Sequence, residues 1–162
     1  MTVIGNTKLF NVVLHEPEIP SNTGNIGRTC VGSGASLHLI EPLGFEISNS
    51  QLKRAGLDYW KHLDWFLHKS WQEWLSTVKN PDRIFFFTTK TDKPLESEEF
   101  QPGDWLVFGK ETSGLPAELL GGFDGRRLAV PMYGPIRSYN LANTVSVAAY
   151  EVLRQFRKKR LI

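Results

Sequence analysis

The chain of 162 residues has only one cysteine, Cys30, so no intrachain disulfide can form. A single cysteine inside a helical pattern indicates a small buried side chain and agrees with a reducing cytoplasm. No apolar run approaches the length that spans a bilayer, and residues 1–5 lack the basic and apolar segments of a signal peptide. We therefore expect a cytoplasmic protein that does not contact membranes.

Several common site motifs are also missing. The four histidines lack the spacing of metal ligands, so we expect no metal. Gly109-Lys110 lacks the preceding glycine of a phosphate-binding loop because Asp104 stands there, and no Gly-x-Gly-x-x-Gly follows the first predicted strand. There is no Gly-x-Ser-x-Gly segment to present a nucleophile. These absences disfavour metal-dependent, dinucleotide-binding and serine-hydrolase chemistry.

The composition is that of an ordinary globular protein. Hydrophobic residues make up 41%, charged residues 22%, and the net charge is +2, which predicts a single domain over residues 1–162. Basic residues nevertheless cluster at the end of the chain: Arg154, Arg157, Lys158, Lys159 and Arg160. Such a cluster fits a solvated helix end as well as a contact with a phosphate backbone, and composition leaves both readings open.

Short apolar runs alternate with helical patterns along the chain. Strands are predicted over residues 9–14, 36–40, 65–68, 84–88, 105–108 and 128–130, with helices over 24–33, 48–55, 71–78 and 117–120. Ser70 is the predicted cap of the third helix, and Gly34 ends the first. Strand, helix and strand within some thirty residues require parallel pairing, so the fold class is α/β with a mostly parallel sheet flanked by helices.

Residues 131–158 form a polar loop that leads into a long helix. Two prolines and Gly134 exclude a helix at the start. An apolar stripe then recurs at helical spacing: Leu141, Val145, Ala148, Val152 and Phe156. Ser138 or Asn140 could cap this helix. Because ligands bind beyond the carboxyl ends of parallel strands, we expect the loops 88–92, 109–116 and 131–140 to form one pocket.

Three segments, in order, carry a resemblance to a known family. They are 22–28 (Asn-Thr-Gly-Asn-Ile-Gly-Arg), 108–116 (Phe-Gly-Lys-Glu-Thr-Ser-Gly-Leu-Pro) and 137–143 (Arg-Ser-Tyr-Asn-Leu-Ala-Asn). They resemble the motifs of the SPOUT superfamily of RNA methyltransferases, in the branch that methylates ribose 2′-hydroxyls. With Glu-Pro-Glu-Ile-Pro at 16–20 and Lys-Arg-Ala-Gly-Leu-Asp-Tyr at 53–59, the chain is most similar to the small tRNA (cytidine/uridine-34 2′-O)-methyltransferases of the TrmL type.

The resemblance implies a fold, a cofactor and partners. It implies a C-terminal trefoil knot, a bent S-adenosyl-L-methionine bound in that knot and converted to S-adenosyl-L-homocysteine, a homodimer, and tRNA as substrate. The residues that match the cofactor-binding positions are Phe87, Gly109, Val130, Met132 and Ser138.

The residues that match polar positions of 2′-O-methylating relatives, and are the expected catalytic set, are Arg28, Asn22, Glu111, Ser138 and Asn140. A guanidinium rarely gives up its proton, so we favour Arg28 as a ligand of the phosphate beside the target rather than as a base. Glu111 is expected to orient Arg28 or Asn22, or else to cap the helix over 117–120. Ala142 stands where relatives often carry serine.

The expected activity is methylation of the ribose 2′-hydroxyl at the tRNA wobble nucleotide, position 34, a cytidine or modified uridine. The alternatives are 2′-O-methylation at another tRNA or rRNA position, and a non-catalytic RNA-binding module on the same fold. The intact polar set argues against the latter, whereas RNA is chosen by shape and surface contacts that a sequence does not reveal.

Overall fold

The computed structural model describes residues 8–47 and 59–162. Its strands are β1 (Asn11–His15), β2 (Ser36–Ile40), β3 (Trp65–His68), β4 (Ile84–Phe87), β5 (Trp105–Phe108) and β6 (Arg127–Leu128). Its helices are α1 (Pro20–Ser33), α2 (Trp71–Thr77), α3 (Ala117–Leu120) and α4 (Leu141–Lys158). Short 3-10 turns cover Trp60–His62, Pro81–Arg83, Leu95–Ser97 and Asp124–Arg126. The helix predicted over 48–55, and most of the motif at 53–59, lie outside the described residues.

The six strands form one sheet in the order β3-β2-β1-β5-β4-β6, and every described pair is parallel. This confirms the predicted α/β class. The chain runs outward from β1 through β2 to β3 at one edge of the sheet. It then crosses to the other half of the sheet, where β5 lies next to β1 and is followed by β4 and β6. The point where the strand order reverses lies between β1 and β5, which is where open parallel sheets place their ligand sites.

Strand residues alternate between two apolar layers. On one face, α1 and α4 pack over Val12, Leu39 and Phe108, with Val145, Val152 and Phe156 of α4 fully buried. On the opposite face, Trp74 of α2 packs over residues such as Val13 and Phe86. The hydrophobic effect thus explains why these short strands are apolar in consecutive positions, since both faces of the sheet are covered.

Several predicted boundaries were wrong: β1 spans Asn11–His15 instead of 9–14, β4 ends at Phe87 instead of 88, and α2 ends at Thr77 instead of 78. Two further differences have clear causes. Helix α1 begins at Pro20 instead of residue 24, because proline fits the first helical position, where a backbone N–H has no partner in any case. Strand β6 ends at Leu128 instead of residue 130. Ala129 pairs instead with the segment after β4: its N–H donates to the carbonyl of Lys93 at 2.8 Å, and its carbonyl accepts from the N–H of Leu95 at 2.9 Å.

Helix α4 confirms the predicted stripe and decides between its two candidate caps. The Oδ1 atom of Asn140 accepts hydrogen bonds from the backbone N–H groups of Ala142 at 2.9 Å and Asn143 at 3.3 Å. Asn140 is therefore the N-cap, and Ser138 lies two residues earlier in the loop. Helix α1 ends as predicted, with Gly34 in the left-handed region at φ 71°.

Candidate active site

A cavity of about 800 Å³ opens at the carboxyl ends of β4, β5 and β6. Its walls come from residues 87–90 and 108–115, from residues 128–130, 132, 137–141 and 144, and from Ile19 and Asn22 at the start of α1. The three loops predicted to converge therefore do so. A parallel sheet brings them together because each loop leaves its strand at the same edge.

All five residues predicted to bind a cofactor line this cavity: Phe87, Gly109, Val130, Met132 and Ser138. The ring of Phe87 stacks on Phe108, with 4.6 Å between ring centroids, and gives the cavity an apolar floor. Their role in cofactor binding stays a prediction. The fold nevertheless brings them to one surface, although 51 positions separate the first from the last.

The loop after β5 folds back on itself at Gly109. A Cβ atom at this position would overlap the backbone of Gly114 and Leu115. The Gly114 N–H donates to the carbonyl of Lys110 at 2.9 Å, and Gly114 has φ 68°. Only glycine satisfies both requirements, since one site has no room for a side chain and the other has a backbone conformation that side chains disfavour.

Glu111 caps the start of helix α1 from across the cavity. Its Oε2 accepts from the N–H of Glu18 at 2.8 Å, and its Oε1 accepts from the N–H of Ile19 at 3.1 Å and from Nδ2 of Asn22 at 3.2 Å. Helix α1 has no side-chain cap of its own at Ile19. Of the predicted possibilities, Glu111 thus orients Asn22, and it does not cap α3.

Asn22 in turn forms a hydrogen bond with Asn140 at the start of helix α4. The Oδ1 atom of Asn22 accepts from Nδ2 of Asn140 at 3.0 Å, while Oδ1 of Asn140 caps α4. Each amide therefore has a defined orientation, because one end donates and the other accepts. The carboxylate and the two amides form one directed chain that ties α1, α4 and the loop after β5 together.

A second set of contacts between the same loops could not be foreseen from the sequence. Lys110 Nζ donates to Oε2 of Glu16 at 2.8 Å, and this hydrogen bond, with the charge of Glu16, raises the pKa of Lys110. Glu18 accepts from Thr112, through its N–H at 3.1 Å and its Oγ1 at 2.9 Å. The Glu-Pro-Glu segment at 16–18 had carried only the family resemblance. Its carboxylates hold the glycine-rich loop 109–114 against α1.

Arg28 is the one predicted catalytic residue that lies outside the cavity lining. Asn22, Glu111, Ser138 and Asn140 all line the cavity, whereas Arg28 is exposed six residues further along α1, roughly 9 Å along the axis. Its guanidinium lies 4.9 Å from the ring centroid of Tyr59. The Tyr59 hydroxyl in turn donates to the carbonyl of Gly24, which anchors the ring on α1.

Within the part of the chain that the structure describes, no group of three or more histidine, cysteine or acidic residues is arranged to hold a metal ion. Over the same residues, no helix has the length and apolar character needed to cross a membrane.

A family model for the SpoU rRNA methylases matches residues 9–150, which is most of the chain. The chain belongs to the SpoU rRNA methylase family. The resemblance inferred from the three sequence segments is therefore confirmed, and residues 22–28, 108–116 and 137–143 all fall within the matched region.

Relatives and solved structures agree with this assignment. The chain is 48% identical over 149 residues to the tRNA (cytidine(34)-2′-O)-methyltransferase of Burkholderia cenocepacia, covering 91% of this chain and 96% of that protein. A solved structure described as "Structural insights into the 2-OH methylation of C/U34 on tRNA" superposes with a TM-score of 0.88 at 48% identity, over 92% of this chain and 97% of its own.

A more distant SpoU protein shares the fold. It is the methyltransferase AviRb from Streptomyces viridochromogenes, solved in complex with AdoMet. It has a TM-score of 0.80 at 23% identity, over 94% of this chain and 60% of the AviRb chain. At this distance the likeness establishes the fold of the SpoU domain and no more.

Proposed function

We propose that this SpoU-family protein transfers a methyl group from S-adenosyl-L-methionine to the ribose 2′-hydroxyl of the tRNA wobble nucleotide, position 34, a cytidine or modified uridine. The observation that carries the proposal is the single cavity in which the three motif loops meet, with four of the five matched polar side chains on its walls. Relatives that bear this activity in their names, at 48% and 45% identity over 91% of the chain, support it.

The cavity fits an adenosine-containing methyl donor. Phe87, Val130 and Met132 supply apolar walls for a purine, and the folded loop at 109–114 brings backbone polar groups to the same surface. Ser138 adds a hydroxyl. When bound, S-adenosyl-L-methionine supplies an electrophilic methyl group on a sulfonium, and S-adenosyl-L-homocysteine is the product.

The chain's own residues have to position a poor nucleophile. A ribose hydroxyl attacks only when it is aligned and its proton is shared, so positioning supplies much of the rate. The directed chain of Glu111, Asn22 and Asn140 holds its two amides in fixed orientations at the cavity edge. Arg28, as a permanent cation, holds the phosphate beside the target nucleotide.

The proposal includes a homodimer in which Arg28 serves the cavity of the partner subunit. Arg28 is exposed beside its own cavity and not in its lining. On the neighbouring helix α4, Val147 and Tyr150 are 46% and 67% exposed, and such apolar side chains are common at subunit contacts. The proposal also includes a single domain over residues 1–162, a trefoil knot and a cytoplasmic location. It further includes the absence of a metal and contact between the basic tail and tRNA.

Two measurements test this function. Calorimetry with S-adenosyl-L-homocysteine is expected to show binding, and no heat at high micromolar ligand would contradict the cofactor assignment. Mapping of 2′-O-methyl groups in total tRNA from cells with and without the gene is expected to show loss at position 34. An unchanged wobble ribose, with loss at another tRNA or rRNA position, would support the first alternative, and no loss anywhere would support a non-catalytic module.

A further inference from the structure

The loop between β6 and α4, part of which lines the cavity, carries an exposed aromatic side chain. The Tyr139 hydroxyl donates to the carbonyl of Pro131 at 3.2 Å, and the Ile136 N–H donates to the carbonyl of Gly134 at 2.9 Å. These bonds hold the loop closed. Tyr133 follows Met132 of the cavity lining and is 97% exposed, so its ring is open to solvent. An aromatic ring held out by a braced loop is a surface available for stacking.

The same loop brings positive charge to the cavity. Arg137 of this loop and Lys90 of the loop after β4 both line it, and neither side chain forms an ion pair with any of the described residues. By contrast, Lys110 is neutralised by Glu16, and the Glu111 carboxylate is occupied by the start of α1. Residues 125–150 contain no aspartate or glutamate. The mouth therefore attracts anions.

We propose that Tyr133 and Arg137 form a nucleotide clamp: the Tyr133 ring stacks on the base of the tRNA nucleotide entering the cavity, and the Arg137 guanidinium binds the phosphate that flanks it. The clamp rests on the proposed function, because it assumes an RNA acceptor for the methyl group. Its two residues are separate from the matched cofactor-binding and catalytic positions.

The chemistry of an anticodon nucleotide matches these two groups. Bases in single-stranded loops can leave their stack and lie against aromatic side chains, and every base offers a face for stacking. A stacking contact is therefore tolerant of the base, as a site that accepts cytidine or modified uridine requires. A guanidinium matches a phosphate through paired N–H donors, which fixes the nucleotide along the backbone direction.

The test uses the full-length protein with unmodified tRNA. Tyr133→Ala is expected to raise the Kd and the KM for tRNA about tenfold, with the Kd for S-adenosyl-L-homocysteine unchanged. Tyr133→Phe keeps the ring and is expected to bind like the unaltered protein. Arg137→Ala is expected to weaken tRNA binding and to lower the slope of log Kd against log salt by about 0.7, the loss of one phosphate contact to a single strand.

Four outcomes would overturn the clamp. An unchanged KM for tRNA in Tyr133→Ala would remove the stacking contact. A loss of S-adenosyl-L-homocysteine affinity in Arg137→Ala would assign this residue to the methyl donor. Dissociation of Tyr133→Ala into monomers in ultracentrifugation would assign the ring to a subunit contact. Unaltered protein that methylates no RNA would overturn the proposed function as well, whereas the first three results leave that function standing.

Discussion

The carboxylate of Glu111 connects segments that are distant in the sequence. It accepts three hydrogen bonds from residues 89 or more positions away, two of them from the otherwise uncapped start of α1. The bonds from Glu18 and Asn22 are partly buried and the bond from Ile19 is exposed, so water can replace the lost acceptor only in part. Glu111 therefore couples the stability of α1 to the orientation of Asn22.

Replacement of Glu111 by alanine is expected to lower both stability and activity. The free energy of unfolding in urea should fall by about 1–3 kcal/mol, because three donors lose their acceptor. The single-turnover methylation rate should fall at least about tenfold, since Asn22 loses its orienting partner. Glu111→Gln, which keeps one carbonyl oxygen, should lose less of each. Glu118→Ala on the exposed side of α3 is the control, and equal losses in both alanine variants would contradict this role.

Gly109 is a position where the absence of a side chain is required. Gly109→Ala is expected to shift the loop 109–114 and to weaken S-adenosyl-L-homocysteine binding at least about tenfold, because a Cβ there would overlap the backbone of Gly114. Calorimetry measures this directly. Gly125→Ala serves as the control, since its Cβ would meet no atom within 4 Å. Unchanged affinity in Gly109→Ala would show that this loop does not bind the cofactor.

At the scale of the elements, a polar chain crosses three strands that are otherwise apolar. The Ser36 hydroxyl donates to Oδ1 of Asn11 at 2.7 Å and lies 3.1 Å from Nε2 of His38. Nδ1 of His38 lies 2.9 Å from Nε2 of His68, so β1, β2 and β3 are joined by side chains as well as by their backbones. Burial, and to a lesser degree the neighbouring His68, lowers the pKa of His38 to about 3.

The low pKa of His38 in this row of hydrogen bonds predicts that the protein loses stability in mild acid. His38 is neutral when folded and would bind a proton below pH 6.5 once unfolded, so the unfolded state gains protons as the pH falls from 6.5 towards 3. The free energy of unfolding should be about 1.4 kcal/mol lower at pH 5.5 than at pH 7.5 from this residue alone. Chemical denaturation at the two pH values measures the difference.

The controls for this prediction are two histidine variants. His38→Gln is expected to be less stable at pH 7.5 but to lose less on acidification, because the buried titrating ring is gone. His62→Gln, at an exposed histidine, is expected to respond to pH like the unaltered protein. The same acid response in His38→Gln and in the unaltered protein would show that other groups carry the pH dependence.

At the scale of the whole molecule, the proposed dimer, in which Arg28 serves the partner's cavity, is testable by complementation. Arg28→Ala is expected to abolish methylation and leave S-adenosyl-L-homocysteine binding largely intact. Gly109→Ala is expected to lose methylation because its own cavity is altered. If Arg28 acts on the partner's cavity, co-expression of these two inactive chains should restore activity. Random pairing makes half of the dimers mixed, each with one complete site, which gives about a quarter of the full activity.

The complementation has two further readouts. The unaltered protein is expected to sediment as a dimer at micromolar concentration, and Tyr150→Glu on the exposed side of α4 should shift it towards a monomer. A monomeric protein with full activity would contradict the shared site. An inactive mixture of Arg28→Ala and Gly109→Ala chains that still form dimers would show that Arg28 serves its own cavity instead.

The local elements were largely predictable because their signals are local. Strand β2, strand β5 and helix α3 occupy the residues predicted for them, and the stripe on α4 packs as its spacing indicated. The errors arose where a neighbour decides the outcome. The start of α1 is set by Pro20 together with the distant Glu111, and β6 ends where Ala129 turns to pair with residues 93–95.

By itself, the sequence determined the α/β class, the family, and the three loops that share a site, since hydrophobic period and ordered motifs act over short stretches. Only the tertiary structure decided what those residues do to one another. It assigned Glu111 to α1, set Glu16 and Glu18 against the loop 109–114, and left Arg28 outside the cavity that its motif had suggested. Such contacts join side chains some ninety positions apart, and no periodicity in a sequence encodes a pairing at that distance.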